Sequence, residues 1–164
     1  MFKITKYFLV FIFFPLFAED STQKRNFNQS IKSFQKQRIA IVIGLNQYKN
    51  SEKLKYAIDD SKNIKSILEK VGYYDEIILL NEEEGKRNQK KSPTYENILD
   101  VLKEVNNRKP LSLLFYYSGH GFENNSIATE NTIVLADTKK PNAKNVLPIK
   151  EIRNYIEMSI GRRS

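Results

Sequence analysis

An α/β fold with a mostly parallel sheet and helices on both faces is what the sequence predicts, and three observations carry that expectation. Two apolar runs, Ile39 to Ile43 and Leu111 to Tyr117, read as buried strands, one ending at Gly44 and the other at Ser-Gly-His-Gly. Between and after them lie stretches whose apolar residues recur at helical spacing. Strand and helix alternate along the chain, the order that gives right-handed crossovers and parallel pairing.

Taken in order, the domain begins at Arg38. Ile39-Ala-Ile-Val-Ile43 forms the first strand, and Gly44 to Tyr48 the loop at its carboxyl end. Residues 59–71 are expected as an amphipathic helix: Ile64, Ile67, Leu68 and Val71 fall at helical spacing, and Gly72 closes the run. Asp59 and Asp60 stand in its first turn, where carboxylates complement the positive end of the helix dipole. Residues 76–81 are the second strand. Residues 82–93, with Lys86-Arg87 and Lys90-Lys91, read as a charged, solvated loop. Ser92-Pro93 opens the next helix, whose buried face is Ile98, Leu102 and Val105, and Pro110 lies beyond its end. Leu111 to Tyr117 is the third strand. A polar loop follows the Ser-Gly-His-Gly turn, then a short strand over 132–136 and a helix over 148–160 with Ile149, Ile152, Ile156 and Ile160 on one side.

The chain has 164 residues, of which 40% are hydrophobic, enough for one domain with a real core. Residues 1–18 read differently from the rest. Lys3 and Lys6 precede an apolar run from Tyr7 to Phe17, interrupted by Pro15, and Ala18 comes before Glu19-Asp20. That pattern is short for a membrane span and suits a signal peptide cut after Ala18, with an uncleaved anchor as the alternative. The expected destination is outside the cytoplasm, periplasmic or secreted. Residues 19–37 are polar and form a linker or arm. With no cysteine in the chain, disulfides, a lipid-bearing cysteine and thiolate metal sites are excluded. The net charge of +8 is scattered among acids with no aromatic-interleaved basic stripe, so it implies solubility rather than nucleic-acid recognition.

The single histidine, His120, stands just past the carboxyl end of a predicted strand, where ligands bind in open α/β sheets. Its flanking glycines let the chain turn sharply and let a substrate backbone approach. Metal binding is not expected, because no second histidine or cysteine exists to share an ion. Ser118 faces the same way, but strand side chains at i and i+2 lie about 6–7 Å apart, too far for a ready Ser-His pair.

Arg38 to Tyr48 (RIAIVIGLNQY), Leu54 to Ser61 (LKYAIDDS) and Phe115 to Gly121 (FYYSGHG) together resemble the large-subunit half of the caspase and metacaspase family of cysteine peptidases. The resemblance implies a caspase-like three-layer sandwich over residues 38–164, incomplete for want of its C-terminal strands. It implies that His120 is the catalytic histidine and that the backbone N–H of Gly121 helps form the oxyanion hole. It also implies that Asp60 and Ser118 line the pocket for an arginine or lysine side chain ahead of the scissile bond. Read from the residues alone, Asp60 is first of all a plain helix N-terminal acid, and Asp59 is left as one.

The departure from the family is the nucleophile. It is expected on the next strand, in a motif like Asp-x-Cys-x-Ser-Gly, and no cysteine occurs. Without a thiolate beside the imidazole there is no acyl-enzyme. Two readings follow: a truncated cysteine endopeptidase, or a pseudo-peptidase that binds basic peptide or protein segments. No cofactor is expected. Calcium is used by some metacaspase-type members, but no acidic cluster in the sequence marks a site for it. The sheet edge beside the third strand is expected to lack cover and to favour self-association.

Overall fold

The computed structural model describes residues 37–124, 130–138 and 146–160. The expected signal peptide and all but the last residue of the arm lie outside these residues.

Three parallel strands form the main sheet: β1 (Arg38–Gly44), β2 (Glu76–Leu80) and β3 (Ser112–Ser118), in the order β2-β1-β3. The register pairs Ile41 with Ile78 on one side and with Phe115 on the other. Alternation along β1 feeds two cores at once. Ile39, Ile41 and Ile43 point to one face, with Leu80, Phe115 and Tyr117, and Ala40 and Val42 point to the opposite face, with Leu79, Leu114 and Tyr116. The first face is covered by α3 (Tyr95–Arg108) and α4 (Ile149–Ile160), through Ile98, Leu102, Val105 and Ile152. The second is covered by α1 (Ala57–Val71), through Ile64 and Leu68. The chain moves from β1 to β2 with α1 on one face, then back across the sheet to β3 with α3 on the other, so the two crossovers share one hand.

The helix ends follow local chemistry. Gly72 adopts the left-handed conformation, φ 65°, and returns its N–H to Leu68, terminating α1. Thr94 caps α3, its hydroxyl accepting from the Asn97 N–H, so the helix starts at Tyr95, two residues beyond Pro93, rather than at the proline.

Four expectations need correction. Residues 82–93 are not simply a solvated loop: they hold a short helix, α2 (Glu82–Arg87), and a 3-10 turn, Gln89–Lys91. Asn81, fully buried at the end of β2, caps α2 by accepting from Glu84 N–H at 2.8 Å. The segment after His120 is strand rather than loop: β4 (Gly121–Asn124) pairs antiparallel with β5 (Glu130–Val134), which pairs with β6 (Val146–Pro148). These strands form a second sheet, so the short strand expected over 132–136 does not extend the parallel one. The buried side of α1 is rotated from the expected stripe: Ala57, Ile58 and Ser61 are buried, whereas Ile67 and Val71 are 53% and 67% exposed. On α4, Ile152 is buried and Ile149 is exposed, because Ile149 sits in the first turn beyond the β6 packing.

β3 is buried only in part along its whole length. It is an edge strand among the described residues, with β1 on one side and no partner on the other.

Candidate active site

The strand order turns back at β1, so the switch point of the sheet lies between the carboxyl ends of β1 and β3. There the loops diverge and leave a crevice. Gly44 and Ser118 are paired in register at that point, and Leu45 N–H donates to the Ser118 carbonyl at 3.0 Å.

His120 follows two residues after β3, half-buried at this rim. Its Nε2 lies 2.9 Å from the Glu52 carbonyl. A carbonyl oxygen only accepts, so in this contact Nε2 carries the proton and the neutral ring offers Nδ1 as its basic atom. The Tyr48 ring lies beside the imidazole, 4.6 Å between centroids.

Ser118 shares the parity of Leu114 and Tyr116, the β3 residues that face α1. Its hydroxyl accordingly reaches the first turn of α1 and donates to Asp60 at 3.0 Å. The structure brings Asp60 and Ser118 together and separates Ser118 from the imidazole, whose partners are Glu52 and Tyr48. The Asp60 carboxylate is exposed, and the ion pairs of the described residues leave it without a cationic partner.

Gly121 opens β4 beside a cavity of about 350 Å³ that Tyr117, Gly119, Thr132, Ile133 and Ile149 also line. A larger cleft, about 620 Å³, runs along α3 past Glu96, Asp100 and Glu104 and contains none of the predicted site residues. Among the described residues no group of three or more histidine, cysteine or acidic side chains is arranged to hold a metal ion. Among the same residues, no helix is long and apolar enough to cross a membrane.

Three groups at the rim were not singled out from the sequence. The Glu52 carbonyl is a backbone atom and left no side-chain signal. Tyr48 was visible only as the last residue of the loop after β1. Glu82 stands just past the end of β2, and its Oε1 accepts the N–H groups of Asn46 and Gln47 at 2.7 and 2.6 Å, fixing the loop that leads to Tyr48.

Known proteins share this arrangement of sequence. Residues 37–158 match the caspase domain of the peptidase C14 family. Over 86 residues, half of this chain, it is 37% identical to metacaspase-1 of Meyerozyma guilliermondii, covering 20% of that protein. It is 40% identical over 88 residues to metacaspase-1A of Aspergillus oryzae, covering 51% of this chain and 20% of the relative. With metacaspase-3 of Arabidopsis thaliana the identity is 35% over 90 residues, 52% of this chain and 24% of the relative. The chain thus spans about a fifth to a quarter of the length of the curated relatives it matches. It contains no cysteine, so a thiol nucleophile is absent from it. The parallel sheet, the histidine at its switch point and a match that runs from the residue before β1 into α4 agree, and this chain belongs to the caspase domain family.

Proposed function

We propose that the chain is the histidine-bearing part of a caspase-like cysteine endopeptidase that cleaves after arginine or lysine, its thiol supplied by a segment outside this sequence. The observation that carries the reading is the Ser118–Asp60 hydrogen bond at the rim that also holds His120. An exposed carboxylate without a cationic partner, oriented by a neighbouring hydroxyl, suits a guanidinium or ammonium group. Neutral His120 would take the thiol proton at Nδ1 while Nε2–H stays on Glu52. The thiolate would then attack the scissile carbonyl, and Gly121 N–H would stabilise the oxyanion that forms. His120 would afterwards return the proton to the leaving amine.

The absence of any cysteine favours a second reading, a pseudo-peptidase in which the same pocket binds basic segments without cutting them. One experiment tests both. The chain is assayed alone and extended by a strand bearing Asp-x-Cys-x-Ser-Gly, with arginine- and lysine-ended fluorogenic peptides, and peptide binding is followed by fluorescence polarisation. The peptidase reading expects turnover only in the extended form, falling by about 100-fold or more with His120→Ala. Turnover that survives that substitution removes His120 from the mechanism. Both readings expect Asp60→Asn to weaken arginine-peptide binding by about tenfold. Equal binding of glutamate-ended peptides would discard the basic pocket.

A further inference from the structure

We infer that Tyr48 and Tyr117 are positioning residues for His120, a pair of phenol hydroxyls that hold its backbone on both sides of the Cα, one at the N–H and one at the carbonyl, and fix which imidazole nitrogen faces the cleft. The Tyr48 hydroxyl donates to the Leu45 carbonyl at 2.9 Å, which leaves its oxygen lone pairs to accept the His120 N–H at 2.7 Å. The Tyr117 hydroxyl has a single proton, shared between the Val134 carbonyl at 2.5 Å and the His120 carbonyl at 3.0 Å, so it ties the two carbonyls together. Val134 N–H in turn donates to the His120 carbonyl at 2.9 Å, so β5 braces the same peptide.

Gly119 is what lets the two hydroxyls converge. A Cβ there would lie 2.3 Å from the Tyr117 oxygen and 2.6 Å from that of Tyr48. The glycine before the histidine therefore makes room for the clamp, where the sequence suggested room for a substrate. The Tyr48 ring, tilted 47° against the imidazole, restricts its rotation and keeps Nε2 on the Glu52 carbonyl. Burial raises the pKa of both phenols, so they remain neutral and protonated over the range in which histidine titrates.

The inference rests on His120 being the general base of the proposed peptidase, but its test needs no turnover, so the two can fail separately. His120 is the sole histidine, and its ring nitrogens give unambiguous ¹⁵N signals. In the unsubstituted chain those shifts are expected to show the Nε2–H tautomer, with the His120 amide protected from exchange. Tyr48→Phe keeps the ring and removes the hydroxyl. It is expected to accelerate His120 amide exchange about tenfold and to move the ring shifts toward a mixture of tautomers. Leu102→Ala, which destabilises the domain from the far side of the α3 interface, is expected to change neither the tautomer nor the relative protection of this amide. An unprotected His120 amide in the unsubstituted chain overturns the clamp even if Tyr48→Phe does not fold. So do ring shifts unchanged by Tyr48→Phe, or shifted equally by Leu102→Ala.

Discussion

Burial lifts the Tyr48 phenol above its ordinary pKa of 10.0, with Glu82 adding to the rise. Tyr117 is lifted further, first by burial and then by the neighbouring Tyr48 and Glu82. Both groups therefore stay protonated in the folded chain at a pH where the unfolded chain has begun to ionise them. The stability they contribute is complete below about pH 10 and is lost as pH rises toward the folded-state values. Urea midpoints are expected to hold steady from neutral pH to about pH 9 and to fall above about pH 10, with Tyr117→Phe flattening that fall. An equally steep alkaline fall in Tyr117→Phe would assign it to other groups. At this scale the sequence placed His120 at a strand end from local pattern alone, whereas Asp60 and Ser118 were singled out as pocket residues only by the family resemblance. Tyr48, Glu82 and the Glu52 carbonyl were not legible, since their roles depend on which loops meet at the rim.

Helical spacing shows that a segment has an apolar side, but the neighbours decide which residues on that side are covered. On α1 the stripe Ile64, Ile67, Leu68, Val71 is broad enough to be read at more than one angle. The close approach of Gly44 selects one of them: a Cβ at Gly44 would lie 2.3 Å from the Ala57 carbonyl, so the first turn of α1 lies directly on the end of β1. That contact buries Ala57 and Ser61 and turns Ile67 outward. On α3 the neighbours on both sides agree, and Ile98, Leu102 and Val105 are all fully buried. Leu102→Ala is expected to cost about 2–5 kcal/mol in chemical denaturation. Ile67→Ser is expected to stay within about 0.5 kcal/mol, apart from a small propensity effect. A large loss from Ile67→Ser would mean that α1 is covered on its outer side. The α2 helix was hidden for a different reason. Its six residues are charged and carry no apolar period, so only Asn81 as a cap and the acidic first turn marked it.

Across the whole molecule, the consequence is an open sheet edge. β3 carries an unbroken apolar and aromatic run, Leu113 to Tyr117, is only partly covered, and has β1 as its one partner in the main sheet among the described residues. Strand edges of this kind pair with one another. Sedimentation of the purified chain is expected to show concentration-dependent dimers or larger species, and a monodisperse monomer with a sharp melting transition would count against that. The sequence by itself determined the strand-helix alternation, the parallel sheet, the absence of a thiol and the position of the imidazole at a strand end, because these follow from local periodicity and residue type. Only the tertiary structure decided that β5 belongs to a second sheet, that Ser118 turns to Asp60 rather than to His120, and that two tyrosines hold the histidine peptide. Each of those outcomes depends on which distant segments share one crevice, and packing between layers fixes that where local pattern cannot.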